Sequence, residues 1–100
     1  MYYSIYSEDY ADSQAQRASA REQHMAYIEV LLNEGRLLLA GPHPKVDSED
    51  PGPEGFSGSL IVAEFESLEA AQLWADNDPF ALAGVFEKTT VKPFKKIIPK

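Results

Sequence analysis

Gly35-Arg36-Leu37-Leu38-Leu39-Ala40-Gly41 is the stretch on which the fold turns. Leucine alone does not separate strand from helix. The run is short and has glycine at both ends, and that length favours a strand over a second helix. If it is a strand, two strands stand together in the middle of the chain, and the element order becomes β-α-β-β-α-β.

Upstream of it, a long helix is expected from near Ser13 to Glu34. Asp12 and Ser13 are both good N-cap residues, and Gly35 stands where a helix C′ glycine belongs. At 100° per residue, Ile28, Leu31 and Leu32 fall on one side, and Glu22, Glu29 and Asn33 fall opposite. The apolar side is expected to pack on a sheet. Before the helix, Tyr2-Tyr3-Ser4-Ile5-Tyr6 is rich in strand-favouring residues and reads as the first strand.

Downstream, Pro42 through Gly58 reads as a loop, because proline and glycine punctuate it and Asp47, Glu49, Asp50 and Glu54 lie between them. Long loops of this kind are often lids or binding loops. Ser59-Leu60-Ile61-Val62-Ala63-Glu64-Phe65 is the clearest strand. Ser67 then caps a helix that runs to about Asp76. Asp78-Pro79 opens a short turn or one-turn helix, with proline at its preferred first position, and Gly84 ends it. Val85 to Ile98 reads as a last strand, broken or edge-placed at Pro93.

This order predicts an α+β, ferredoxin-like sandwich with two helices on one face of an antiparallel sheet. The opposite face is then expected to carry apolar or aromatic side chains: Tyr2, Phe86 or Phe94, depending on register. A second subunit is the simplest cover for that face, so a homodimer is expected. A chain of 100 residues forms one domain and buries one modest core.

Composition narrows the chemistry. Nine basic against sixteen acidic residues give a net charge of −7, which repels nucleic acid and anionic lipid at long range. No apolar run approaches the length of a membrane span, and Met1 to Tyr10 lacks the pattern of a signal peptide. A cytoplasmic address is therefore expected, with no nucleic-acid and no membrane partner. The absence of cysteine removes disulfides and thiolate chemistry. The basic cluster Lys92, Lys95, Lys96 and Lys100 reads as edge-strand lysines that discourage aggregation.

Three polar side chains extend the core stripe of the long helix toward its N-terminal end: Arg17, Arg21 and His24. A helix that simply packs on a sheet would carry apolar residues there. A cleft lined by these three explains the departure. The competing explanations are a satisfied structural histidine and arginine stems lying along apolar surface. Asp78 reads first as a helix cap, a role that does not exclude a catalytic one. Ser59 offers a hydroxyl to a ligand but lacks the glycines of a nucleophile elbow. His43, Asp47 and Asp50 match no metal spacing, so no metal and no cofactor are expected.

These features also carry a resemblance. Arg17 and Arg21 ahead of His24 are one element of it. Glu34-Gly35-Arg36-Leu37-Leu38 into Ala40-Gly41-Pro42, Asp50-Pro51-Gly52, and Gly58-Ser59 into a strand are others. So are Glu66-Ser67-Leu68-Glu69-Ala70-Ala71, Asp78-Pro79-Phe80 with Ala83-Gly84-Val85, and Val91-Lys92-Pro93-Phe94-Lys95-Lys96. Together they resemble the YciI-like proteins, the YCII-related domain family of small bacterial proteins, over nearly the whole chain. The resemblance implies a single domain over residues 1–100 and a dimeric α+β barrel. It also implies a pocket with a His–Asp pair proposed to be catalytic, and His24 and Asp78 stand at the matching positions. The family includes members similar to dehydrochlorinases and lactone isomerases. The reading that follows is a small-molecule enzyme. His24 would act as general acid or base on a small anionic substrate, Asp78 would orient it, and Arg17, Arg21 and Ser59 would bind. A non-catalytic ligand-binding or dimerisation module is the alternative.

Overall fold

A computed structural model describes residues 1–100. Its elements are β1 (Tyr2–Asp9), α1 (Gln14–Asn33), β2 (Leu37–Pro44), a 3-10 turn (Gly52–Glu54), β3 (Phe56–Glu64), α2 (Leu68–Asp76), α3 (Pro79–Leu82) and β4 (Phe86–Phe94). The four strands form one antiparallel sheet in the order β2-β3-β1-β4. This is the expected α+β, ferredoxin-like arrangement.

The stop after α1 works as the glycine signals. Gly35 has φ 73°, a left-handed conformation that only glycine adopts freely. Its N–H donates to Leu32 O, and the Arg36 N–H donates to Leu31 O. This is a Schellman closure. It turns the chain straight into β2, which is why the run from Leu37 onward becomes strand. Ser67 caps α2 by accepting from the Ala70 N–H.

Four strand ends differ from expectation; one is β4, which stops at Phe94 rather than Ile98. β2 continues through Pro42, His43 and Pro44, and β3 starts at Phe56, so the excursion between them is shorter than the sequence suggests. Both prolines are tolerated because β2 is an edge strand, where a missing N–H removes no necessary ladder bond. β1 runs on to Asp9 rather than ending at Tyr6, which carries Ser7 and Asp9 beneath α1. Ser13 occupies the N-cap position of α1 but makes no side-chain cap bond, and Asp12 takes φ 58° instead of capping.

The core lies between the sheet and α1 with α2. Tyr3 and Ile5 of β1 and Ile61 and Ala63 of β3 meet Ile28, Leu31, Ala71 and Ala75 from the helices. A smaller cluster of Ala20, Phe80 and Val85, with Phe86 against it, sits under α3. Register fixes the faces, since directly paired residues share a side. Tyr2 pairs with Phe94, and Ser4 with Val62, so these residues and Tyr6 form the side away from the helices. Tyr2 and Phe94 are thus on the open face as expected. Phe86 is not: a bulge at Glu8/Asp9 shifts the register, and its ring packs edge-on against Phe80 at 5.8 Å. The helical wheel also misplaces Leu32, which is 57% exposed and lines an open cavity between α1 and β2 instead of the core.

Gly58 leaves no room for a side chain against β1. A Cβ there would lie 2.2 Å from the Ser7 carbonyl oxygen, whereas one at Gly41 would meet nothing within 4 Å. Gly58→Ala should therefore cost about 1–3 kcal/mol, the range for overpacking a closed interior, while Gly41→Ala should stay within about 0.5 kcal/mol. Urea unfolding of both variants checks this. Equal stabilities would show that the β1–β3 contact is looser than its geometry.

Candidate active site

Six polar residues are buried in this small domain: Ser7, Ser13, Arg17, His24, Ser59 and Asp78. They gather around the N-terminal half of α1, the half that departs from the apolar stripe.

His24 and Asp78 meet although 54 residues separate them. His24 Nδ1 lies 2.7 Å from Asp78 Oδ1. The same carboxylate oxygen accepts the Phe80 N–H at 2.9 Å as the cap of α3. Cap and partner are therefore one atom. A carboxylate only accepts, so Nδ1 carries the proton, and in neutral imidazole Nε2 holds the lone pair. No protein group hydrogen-bonds Nε2. The imidazole lies flat on the Phe80 ring, with centroids 3.8 Å apart and planes 12° apart.

Phe80 is held in turn by Arg17, whose guanidinium carbon is 5.0 Å from its centroid and 5.6 Å from that of Phe56. The Arg17 guanidinium is itself occupied. It donates to both carboxylate oxygens of Asp9, at 2.5 and 3.2 Å, and to the Gly58 carbonyl oxygen at 3.0 Å. Arg21 differs: it is exposed and forms no ion pair, and it stands at the rim. The two arginines that look equivalent on a helical wheel thus do different work.

His24, Arg17, Arg21 and Ser59 line one cavity of about 620 Å³ between α1 and the β2–β3 side of the sheet. Ser59 Oγ is buried with no hydrogen-bond partner. Its neighbour across the strands, Ser7, is satisfied by Thr89 at 3.0 Å. At the far end of the polar half, the Gln14 side-chain amide clasps the Phe56 backbone. It donates to the carbonyl oxygen at 2.8 Å and accepts from the N–H at 3.2 Å. A wider depression of about 990 Å³ runs between α2 and the end of α1, but no buried polar side chain lines it. Size alone would choose it, and chemistry favours the smaller cavity. No three His, Asp or Glu side chains converge in the way a metal ion needs.

Tyr27, one turn beyond His24, donates its hydroxyl to Trp74 O at 2.8 Å. Burial pushes its phenol above the ordinary 10.0, and the nearby Asp78 carboxylate adds to the rise. Asp9, Phe80 and Gln14 were not legible as site residues. Asp9 lies beyond the readable end of β1, and Phe80 and Gln14 look like ordinary core and helix residues.

Comparison with known proteins agrees with this fold. The YCII-related domain model matches residues 1–95. Protein YciI of Escherichia coli O6:H1 is 60% identical over 97% of this chain and 99% of its own length. Among solved structures, 5-chloro-2-hydroxyhydroquinone dehydrochlorinase (TftG) of Burkholderia phenoliruptrix, in complex with 2,5-dihydroxybenzoquinone, superposes with a TM-score of 0.83. It is 29% identical, and the match covers 95% of this chain and 94% of that one. MhuD with two manganese protoporphyrin IX molecules per active site shares the fold at a TM-score of 0.51. It is 18% identical, over 100% of this chain and 98% of that one. The chain belongs to the YCII-related domain family.

The commitment of Arg17 to Asp9 is measurable. Asp9→Ala should cost about 3–5 kcal/mol, because it leaves a buried guanidinium uncompensated. Asp9→Leu combined with Arg17→Met should cost far less than the sum of the two single changes. A double-mutant cycle in urea reads the difference. Additive costs would mean that Arg17 is free to take a ligand.

Proposed function

We propose that this member of the YCII-related family is a small-molecule enzyme in which His24 moves a proton and Asp78 holds its imidazole. One observation carries the reading. Nδ1–H is committed to Asp78, while Nε2 has no partner and His24 lines a cavity beside the unpartnered Ser59 hydroxyl. A nitrogen buried without a partner would cost about 1–3 kcal/mol; Nε2 is not buried in that way, and its side of the ring is open to a ligand in the cavity.

The roles follow from the groups. Neutral Nε2 accepts a proton from a C–H or O–H of the ligand. The imidazolium that forms is stabilised by Asp78, as in a Ser-His-Asp triad, here without the serine nucleophile. The electron pair left behind then expels a leaving group or shifts a double bond, and imidazolium returns the proton. Arg21 is the cation available to a negative oxygen, and Ser59 donates or accepts at the floor. Arg17 binds through its place in the wall, since Asp9 neutralises its charge. The substrate is a small anionic organic molecule, and the outcome is elimination or isomerisation. The dehydrochlorinase likeness supports an oxygenated ring as one such substrate. The stacked Phe80 and His24 suit a planar one.

The enzyme reading also includes a homodimer. The sheet face away from the helices carries Tyr2, Tyr6, Leu39, Leu60, Val62 and Phe94, and Tyr6, Leu39 and Phe94 are each more than a third exposed. A second copy facing it would close the barrel that the family resemblance implies. Leu39→Glu should shift the protein from dimer to monomer in sedimentation velocity. An unchanged wild-type monomer would remove the dimer from the proposal.

For the chemistry, chloride release from 5-chloro-2-hydroxyhydroquinone and proton–deuterium exchange in 2,5-dihydroxybenzoquinone are the assays. His24→Asn should lower kcat/KM by about 10²–10⁴, the usual worth of a general acid or base. Asp78→Asn retains a capping oxygen and should lower it less. Wild-type protein that binds these compounds and turns over neither, at any pH from 6 to 9, would leave a binding module.

A further inference from the structure

The cavity changes character along its length. On α1, Gln14, Arg17, Ala18 and Arg21 line it on one side of His24, and Met25, Ile28, Glu29 and Leu32 line it on the other. The floor changes in step. Ser59 pairs with Pro42, the next inward pair is Ile61 with Ala40, and Leu37 pairs with Ala63 beyond it. His24 to Leu32 is eight residues, about 12 Å along the helix axis. The site is therefore one continuous cleft with a polar half, a histidine at the join and an apolar half.

The apolar half is unfilled. Ala40 and Leu32 are exposed although both line the cleft between α1 and β2. The volume is also more than one ring needs. A cavity of roughly 150 Å³ holds benzene, and this one is about 620 Å³. Charge sets a direction: Arg21 stands at the polar half, and Glu29 stands among the apolar residues and repels an anion there.

We infer that this site takes a ligand with two unlike ends: an anionic, oxygenated end between Arg21 and Ser59, and an apolar arm against Ile28, Leu32, Leu37 and Ala40. The inference rests on the reading of His24 as the reacting group and adds a substrate class to it. The reacting atom sits at the join, opposite Nε2. The arm supplies binding away from the chemistry and holds the reacting atom in register. A substrate without the arm binds weakly and is poorly placed.

The test uses 4-n-alkylbenzoates, from benzoate to 4-hexylbenzoate, titrated into the wild-type protein by calorimetry. The His24 imidazole signals are followed by NMR in the same samples. Each added methylene should tighten binding about three- to fourfold until the arm is filled. Leu32→Gln should remove most of the gain for 4-hexylbenzoate and move benzoate by less than about twofold. Ala40→Trp, which fills the arm from the strand side, should do the same. A flat series overturns the inference, as does equal loss for short and long members, or failure of every member to bind. Leu32→Gln that alters only subunit dissociation also overturns it and gives the strip to a second copy. A rising series with unmoved imidazole signals supports the arm and counts against the acid–base reading alone.

Discussion

One carboxylate oxygen organises the interior. Asp78 Oδ1 starts α3 by accepting the Phe80 N–H, and it sets the His24 tautomer by standing opposite Nδ1. Because the turn that begins at Asp78 also delivers the Phe80 ring, the imidazole is fixed in plane as well as in protonation pattern. Helix start, tautomer and ring orientation have a common origin. Arg17, braced by Asp9, closes the far side of the stack. Nε2 thus lies opposite the bond that holds the ring, and His24 lines the cavity.

This arrangement is expensive for so short a chain. Domains of this size have roughly 5–15 kcal/mol of net stability, and each buried polar atom without a partner costs about 1–3 kcal/mol. The C-terminal half of α1 with α2 forms a conventional apolar core, through Ile28, Leu31, Ala71 and Ala75. The N-terminal half spends that margin on Arg17, His24, Asp78 and the unpartnered Ser13 and Ser59 hydroxyls. Apolar packing and buried polar groups are divided along one helix, with His24 at the boundary.

The division explains what the sequence disclosed. Local signals were legible, because each is complete within a few residues: the Gly35 stop, the Ser67 cap and the Asp78-Pro79 helix start. Prolines 42 and 44 misled, since proline means turn unless the strand lies at an edge, and edge position is a property of the whole sheet. Asp9 was hidden because inward polar residues break the alternation that would have extended β1. A helical wheel cannot tell where a sheet ends, so it grouped Leu32 with the core and Arg21 with Arg17. The pairing of His24 with Asp78 is a tertiary fact. Residue pattern supplied two candidates, and the family resemblance supplied the pair.

The Gln14 clasp has a bearing on how the chain tolerates change. Its amide meets both backbone groups of Phe56, and nearby the Lys45 N–H donates to Gly55 O at 2.9 Å. The intervening excursion is thereby pinched shut at its base, where Gln14 and Phe56 line the cavity while the excursion itself does not. Lengthening its tip adds only slowly growing closure entropy, about 0.6 kcal/mol per doubling. A peptide inserted at that tip is expected to leave His24 and Asp78 in place.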